Sequence, residues 1–375
     1  EQECQAVKFD RDLNKLILEE QQVIGKLRNL AEYQILYSKV NYVFRQGGYV
    51  RNDTERSMVN EILDHPLIKE KNTALSKRAA ATCYYVKGLC AITGNEVEDS
   101  FDNFSRVVKI FEENPNLIQD IPKQYIKSLG NLFYYYIGAG DYGRLFELIE
   151  KMRSLRDQPG FNRIDIQIRI FISTNYFELL AHDRRGEYKE GVGKIPKIKK
   201  MLSDFGEKLT KEDEVLFGHV MANILFGAQQ YRESLRQLNA VLNDNDNNLR
   251  KDIYSFSKLF NLVIHYELGN YDLLDYLIKS TERFYSKQRK SLALGYEFEI
   301  TFIKYLKRLL KAVKHAGRTS GIFEEMKEEL TELLTDENER VALEYFDYIT
   351  WIDGQVQGIP YGQMKVINFR SAQPA

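Results

Sequence analysis

Apolar residues along this chain recur at intervals of three and four residues, the period of a helix with one buried face. After Gly94, for example, the apolar positions are Val97, Phe101, Phe104, Val108 and Phe111. Similar spacing follows Gly140, Tyr231 and Tyr271. No segment shows sustained alternation of apolar and polar residues, which a half-buried strand would require. The pattern therefore predicts an all-α protein.

Short turns separate the helical stretches at intervals of about 40 to 46 residues, long enough for two helices and two loops. Three turns read Gly-x-Tyr, one is degenerate, and two glycines upstream hold matching places. The turns begin at Gly48, Gly94, Gly140, Gly186, Gln229 and Gly269, and Gly317 or Gly321 indicates one more. Two helices joined by such a turn form a hairpin that cannot bury its own apolar face. We therefore expect a stack of about six or seven helical hairpins.

These turns resemble those of tetratricopeptide repeats (TPR), in which a small residue stands three positions after the Tyr. Gly191 and Ser234 keep the small residue, whereas Leu145 and Leu274 replace it. The period also exceeds the standard 34 residues, and the Trp-Leu-Gly signature is absent. The resemblance implies a right-handed α-α superhelix, a TPR-like solenoid, which we expect over residues 1–353. Residues 354–375, which contain several Gly and Pro, predict an irregular C-terminal tail.

The chain as a whole resembles an uncharacterised TPR-like group common in Bacteroidetes, which implies a bacterial origin. The similar segments are His65-Pro66-Leu67-Ile68, Pro122 to Asn131, Tyr271-Asp272-Leu273-Leu274, and Phe346 to Trp351. Members of that group carry further repeats at the N-terminus. In agreement, residues 10–30 predict one amphipathic helix, the second half of an earlier hairpin. Near the other end, Asp336 and Glu339 resemble a capping box that opens a last helix over residues 339–352.

Charge and hydropathy exclude several kinds of partner. The chain has 53 basic and 54 acidic residues, a formal charge of −1. Because phosphate binding needs a concentrated positive surface, we expect no nucleic-acid partner. No run approaches the ~20 apolar residues of a membrane helix, so we expect no membrane association. Three cysteines without a CxxC or metal-ligand spacing fit a reducing compartment, and we expect a cytoplasmic protein.

One local cluster of cations allows two interpretations. The basic residues between Lys304 and Lys314 alternate with apolar ones, as in helices that lie on membranes or nucleic acid. The next predicted helix carries glutamates between Glu324 and Glu332. Because a hairpin would bring the two helices together, mutual charge compensation is the interpretation we favour.

Catalytic patterns are missing from the sequence. It contains no nucleophile elbow, no HExxH, no P-loop and no Rossmann glycine fingerprint, and its five histidines are scattered. We therefore expect no enzyme activity, no metal and no cofactor.

The first helix of each hairpin carries the best candidates for binding, since in TPR-like stacks these helices line the concave surface. An amide, often with a cation or tyrosine, recurs there. The candidate peptide-binding residues are Lys127, Asn131, Tyr134, Tyr135, Arg169, Asn175, Tyr176, Asn223, Lys258 and Asn261. Asn can pair with the main chain of an extended peptide, and a cation can hold a carboxylate. The alternative is that these amides bond between hairpins inside the stack.

The leading hypothesis is thus a non-enzymatic scaffold that binds a protein or peptide on its concave face. A second hypothesis is a peptide-responsive regulator, like quorum-sensing TPR receptors, whose effector segment lies in a missing N-terminal region. A third is an enzyme with an acidic cleft that follows no known motif, and a bound metal or a strongly shifted carboxylate pair would favour it. The partner's identity, the process and the oligomeric state stay open at this stage.

Overall fold

The computed structural model describes residues 2–47, 53–94, 96–243, 250–292, 296–315 and 317–371. Every regular element in these ranges is helical, and none of the residues described there lies in a strand. The expected all-α class is therefore confirmed. The chain divides into two compact units, Glu1–Ile170 and Phe171–Ala375, with the boundary inside one helix. The single array over residues 1–353 stays a prediction.

Unit 1 contains three pairs of helices and the start of a fourth. Its helices are α1 (Gln2–Gly47), α2 (Asp53–Asp64), α3 (Pro66–Lys69), α4 (Lys77–Thr93), α5 (Val97–Glu112), α6 (Pro115–Asp120), α7 (Pro122–Gly138) and α8 (Tyr142–Ser154). A 3-10 turn, Leu155–Asp157, follows, and α9 (Ile164–Arg185) crosses into unit 2. Helix α4 packs on α5 and α7 packs on α8, as the hairpin pattern predicts.

Unit 2 continues the alternation of first and second helices and then ends in a series of mostly short helices. Its helices are α10 (Tyr188–Phe205), α11 (Lys211–Gly227), α12 (Tyr231–Leu242), α13 (Lys251–Glu267), α14 (Tyr271–Leu292), α15 (Glu297–Lys314), α16 (Ser320–Leu333), α17 (Glu337–Arg340), α18 (Ala342–Tyr345), α19 (Tyr348–Gln357) and α20 (Tyr361–Ser371). The pairs α11/α12, α13/α14 and α15/α16 pack as hairpins. A 3-10 turn, Gly206–Lys208, separates α10 from α11.

The C-terminal expectations were wrong in the described residues. Residues 339–352 fall in three short helices rather than one, and residues 354–371 are mostly helical rather than irregular. Two of the residues that suggested a tail, Gly358 and Pro360, mark a single turn between α19 and α20 instead. Gly358 ends α19 in the left-handed region at φ +67°, and Pro360 immediately precedes α20. Gly after a helix and Pro just before the next are ordinary helix boundaries.

The expected capping box at Asp336 also needs correction. Glu339 reaches away from its own helix and accepts hydrogen bonds from the backbone N–H groups of Glu297, at 3.4 Å, and Phe298, at 2.8 Å. It therefore caps the N-terminus of α15, where orphan N–H groups and the helix dipole favour a carboxylate.

The hairpin turns lie where the sequence places them. Gly140, Gly186, Gln229 and Gly269 all have φ between +60° and +72°. Gly94 ends α4 at φ −88° instead, and Gly48 lies outside the described residues. Only Gly adopts the left-handed region without a steric cost. Of these four turns, the degenerate one is therefore strained, because Gln229 takes the place of Gly.

Helix α1 departs from the expected single buried face. From residue 11 to residue 28 its apolar side chains are exposed, with Leu16 at 61% and Leu27 at 60%. Burial begins at Asn29, and Tyr33 and Val40 are completely buried where α1 packs on α4. The apolar pattern of residues 10–30 was correct for a helix, and no described residue buries its apolar side chains before Asn29.

The basic cluster on α15 is neutralised by neighbouring helices. Lys304 lies 2.9 Å from Glu329, and Arg308 lies 2.8 Å from Glu325, both on α16. The structure thus supports charge compensation within this hairpin over a membrane or nucleic-acid surface.

The left-handed turn residue gives a stability prediction. Replacing Gln229 with Gly should raise the free energy of unfolding by about 1 kcal/mol, because it removes the steric cost of φ +60° at an exposed position. The reciprocal change Gly269→Ala should lower it by about the same amount, since no atom would clash with the added Cβ. Urea unfolding followed by circular dichroism would measure both, and equal stabilities for Gln229→Gly and the parent would refute the assignment.

Candidate functional site

A short segment covers the first helices of unit 2. Residues 342–347, which we name the return segment, comprise α18 and the two residues that precede α19. Their main chain meets α9, where Arg184 donates to the carbonyl of Leu343 at 3.3 Å, and α11, where two side chains bind the carbonyl of Tyr345. The segment also contacts α13. The row of first helices in unit 2 thus already holds a piece of this chain.

The Tyr345 carbonyl oxygen is the centre of this contact. Asn223 donates to it through Nδ2 at 2.8 Å, and His219 Nε2 lies 3.0 Å away. Because a carbonyl can only accept, His219 must carry its proton on Nε2. Its Nδ1 then accepts from the hydroxyl of Ser257, 3.0 Å away on α13. One buried imidazole therefore links two first helices and the return segment.

Burial keeps His219 neutral. It lowers the pKa of this histidine from 6.5 to about 4, although the bond to the Tyr345 carbonyl acts in the opposite direction. A protonated imidazole would have to give up its hydration inside the unit, where no described carboxylate pairs with it directly.

Aromatic side chains fix the return segment in place. The Tyr345 ring stacks on Phe256 with centroids 4.4 Å apart, and the Phe346 ring stacks on Phe260 at 4.5 Å. The Tyr345 hydroxyl donates to Asp252 at 2.5 Å. Although burial acts to raise the pKa of Asp252, hydrogen bonds from Arg250 and Tyr345 hold that pKa below its ordinary value. The carboxylate is therefore available as an acceptor.

Two carboxylates of the return segment meet cations. Glu344 lies 2.8 Å from Arg184 of α9, and Asp347 lies 2.5 Å from Lys365 of α20. Burial opposes ionisation of Asp347, but the nearby Lys365 ammonium outweighs it and lowers the pKa of that carboxyl. A buried ion pair of this kind is costly to break from one side, so it ties the return segment to α20.

The sequence-predicted residues of unit 2 are engaged inside it. Asn223 binds the return segment, and Asn261 is 7% exposed. Asn175 donates to the carbonyl of Phe171 in its own helix at 2.8 Å. Lys258 lies over the Tyr254 ring at 4.6 Å, and Tyr176 packs near Phe217 with centroids 6.4 Å apart. The structure does not gather them into an open groove.

The candidates of unit 1 are more accessible. Lys127 is exposed, Tyr134 is 53% exposed, and Asn131 is half-buried on the same face of α7. Tyr135 turns toward α5 instead, where it stacks on Phe101 at 3.9 Å and donates to Glu98. Arg169 is half-buried near the start of α9. Three candidates on α7 therefore share one surface.

Sequence reasoning missed the return segment and the residues that hold it. His219 is one of five scattered histidines, and no local pattern singles out Arg184. A signal did exist in residues 343–348, which read Leu-Glu-Tyr-Phe-Asp-Tyr. Asp347 caps α19 by accepting from the backbone N–H of Thr350 at 3.0 Å, so a helix start was available there.

The described residues show neither a metal-binding cluster nor a membrane-spanning helix. In the part of the chain that the structure describes, no group of three or more His, Cys, Asp or Glu side chains could hold a metal ion. None of the helices over those residues is long and apolar enough to cross a bilayer.

Comparison with known proteins gives no relative: no family model, no curated protein and no solved structure matches the chain.

His219 predicts a specific dependence of stability on pH. Its pKa of about 4 in the folded chain lies below the unfolded value, near 6.5, so the unfolded state binds the proton more tightly. The stabilisation is therefore complete above pH 6.5 and is lost as the pH falls toward 4, by about 3 kcal/mol in total. His219→Gln can keep both hydrogen bonds and does not titrate.

The free energy of unfolding of the parent and of His219→Gln should be measured from pH 4 to 7. We expect their difference to shrink or reverse as the pH falls, because all other groups titrate alike in both. Parallel curves would contradict the buried neutral imidazole.

Proposed function

We propose that this chain is a non-enzymatic interaction scaffold, a TPR-like solenoid that binds an extended segment of another protein along the first helices of its hairpins. The observation that carries the proposal is the hydrogen bond from Asn223 of α11 to the main-chain carbonyl of Tyr345. It is the amide-to-backbone contact expected for a peptide ligand, made here to the chain's own return segment.

Unit 1 offers the place where a separate protein could bind. The face of α7 that carries Lys127, Asn131 and Tyr134 holds a cation, an amide and an aromatic ring at spacings of four and three residues, which share one side of a helix. Stacked hairpins expose long surfaces of this kind relative to their core. Lys127 can hold a carboxylate and Tyr134 can make apolar contact, which would fix a peptide's orientation, whereas the Nδ2 of Asn131 is buried beneath them. We place this activity in the cytoplasm.

Selection from a displayed library of random dodecapeptides would test the proposal. The parent chain should enrich a family of related peptides, and titration calorimetry should then give their affinities. The variant Lys127→Ala/Asn131→Ala/Tyr134→Ala should lose at least about tenfold in affinity, the usual cost of removing a few central contacts.

A matched control is available on the second helix of the preceding pair. Asn103 and Lys109 lie on α5, where Asn103 bonds to its own helix at the carbonyl of Asp99. The variant Asn103→Ala/Lys109→Ala should bind the selected peptides as the parent does. If the parent enriches no peptide, or if both variants bind equally well, the proposal fails.

A further inference from the structure

Two first helices of unit 1, α4 and α7, carry charge of one sign. Neither α4 nor α7 contains an Asp or Glu. Their charged residues are Lys77, Arg78, Lys87, Lys123 and Lys127. The acidic residues of these hairpins belong to the second helices, α5 and α8. The second helices carry both signs of charge, since α5 also contains Arg106 and Lys109 and α8 contains Arg144, Lys151 and Arg153, so only the first helices α4 and α7 are purely basic.

Most of these cations are not neutralised within the described chain. Lys123 pairs with Asp165 at 2.6 Å. By contrast, no carboxylate of the described residues lies within ion-pair distance of Lys77, Lys87 or Lys127. Lys77 and Lys127 are exposed, and Lys87 is half-exposed. Three cations thus face solvent without a counter-charge.

Tyrosines stand between these lysines. Tyr84 follows Lys77 by seven residues and Tyr134 follows Lys127 by seven, so each ring lies on the same side of its helix as the lysine. Helices α4 and α7 both pack on α5, which lies between them in the chain. We name the surface formed by Lys77, Tyr84, Lys87, Lys127 and Tyr134 the basic–aromatic face.

Unit 2 shows what kind of segment such helices accept. The return segment contains two carboxylates, Glu344 and Asp347, beside two aromatic rings, Tyr345 and Phe346. Arg184 of α9 binds the first carboxylate at 2.8 Å, and the rings stack on α13. An acidic, aromatic segment is therefore the ligand type that first helices of this chain already hold.

We propose that the basic–aromatic face binds an acidic peptide segment with aromatic residues, similar in composition to the return segment. This inference rests on the proposed function and gives the chemistry of its ligand. Complementary charge would steer the segment to the face, and the tyrosine rings would contact its aromatic residues. Nucleic acid is disfavoured because the whole chain has a charge of −1 and this face offers only three lysines without an ion-pair partner, fewer than a phosphate backbone usually engages.

The probe is a fluorescein-labelled peptide that contains the sequence of residues 341–348, Val-Ala-Leu-Glu-Tyr-Phe-Asp-Tyr. A second peptide carries Gln and Asn in place of its Glu and Asp. Fluorescence anisotropy should show the acidic peptide binding the parent chain about tenfold more tightly than the neutral one. The difference should shrink when salt is raised from 50 to 300 mM, since exposed charges are screened.

Variants separate the face from other surfaces. Lys87→Ala/Lys127→Ala should lower the affinity for the acidic peptide about tenfold and leave the neutral peptide unchanged. Lys109→Ala/Lys151→Ala removes the same charge from the second helices and should behave as the parent. Circular dichroism would verify that both variants are folded.

Three results would overturn the inference. One is equal affinity for the acidic and neutral peptides. Another is binding that is unchanged in Lys87→Ala/Lys127→Ala, which would be seen if the peptide instead displaced the return segment in unit 2. The third is tighter, equally lysine-dependent binding of a single-stranded oligouridine. If library peptides bind the α7 face but are not acidic, this inference fails and the proposed function stands; if no peptide binds, both fail.

Discussion

The buried carbonyl of Tyr345 sets the constraint on which unit 2 depends. A main-chain oxygen taken out of water needs hydrogen-bond donors, and α11 supplies two, from His219 and Asn223. The hydrogen bond to this carbonyl fixes the tautomer of His219 and, with it, the bond from Ser257 to Nδ1. It also fixes the path of the chain into α19. The C-terminal helices therefore lie where they do because the first helices carry donors that require a main-chain partner.

Close backbone approach completes the same arrangement. A Cβ on Gly362 of α20 would overlap the carbonyl of Gly227 at the end of α11, so this contact requires glycine. Trp351 of α19 is completely buried and donates through Nε1 to Glu267 of α13 at 2.6 Å. In unit 1 no described segment plays the part of the return segment on α7, and Lys127 and Tyr134 stay accessible. In unit 2 the first helices are thus covered by the return segment, whereas in unit 1 no described segment covers α7 in this way.

The sequence predicted local features well and tertiary partners poorly. Gly140 and Gly269 indicate left-handed turns because no other residue adopts positive φ at so small a steric cost. The period of apolar residues predicted helices, including α1, but periodicity cannot say whether Leu16 is covered. Glu339 was assigned to its own helix, whereas it caps α15 from a distance in sequence. Asn223 was selected for main-chain pairing, yet its partner, Tyr345, lies far along the chain, and no local pattern pairs the two residues.

Photo-crosslinking would test the central claim, that the open first helices of unit 1 receive an acidic, aromatic segment. A photoreactive benzoylphenylalanine would replace Tyr84, Tyr134 or, as a control on α8, Phe146. Mass spectrometry would then locate the crosslinks to the acidic peptide. The account predicts efficient crosslinks from positions 84 and 134, few from 146, and competition by unlabelled peptide. Crosslinks from position 146 alone, or equal yields from all three, would contradict it.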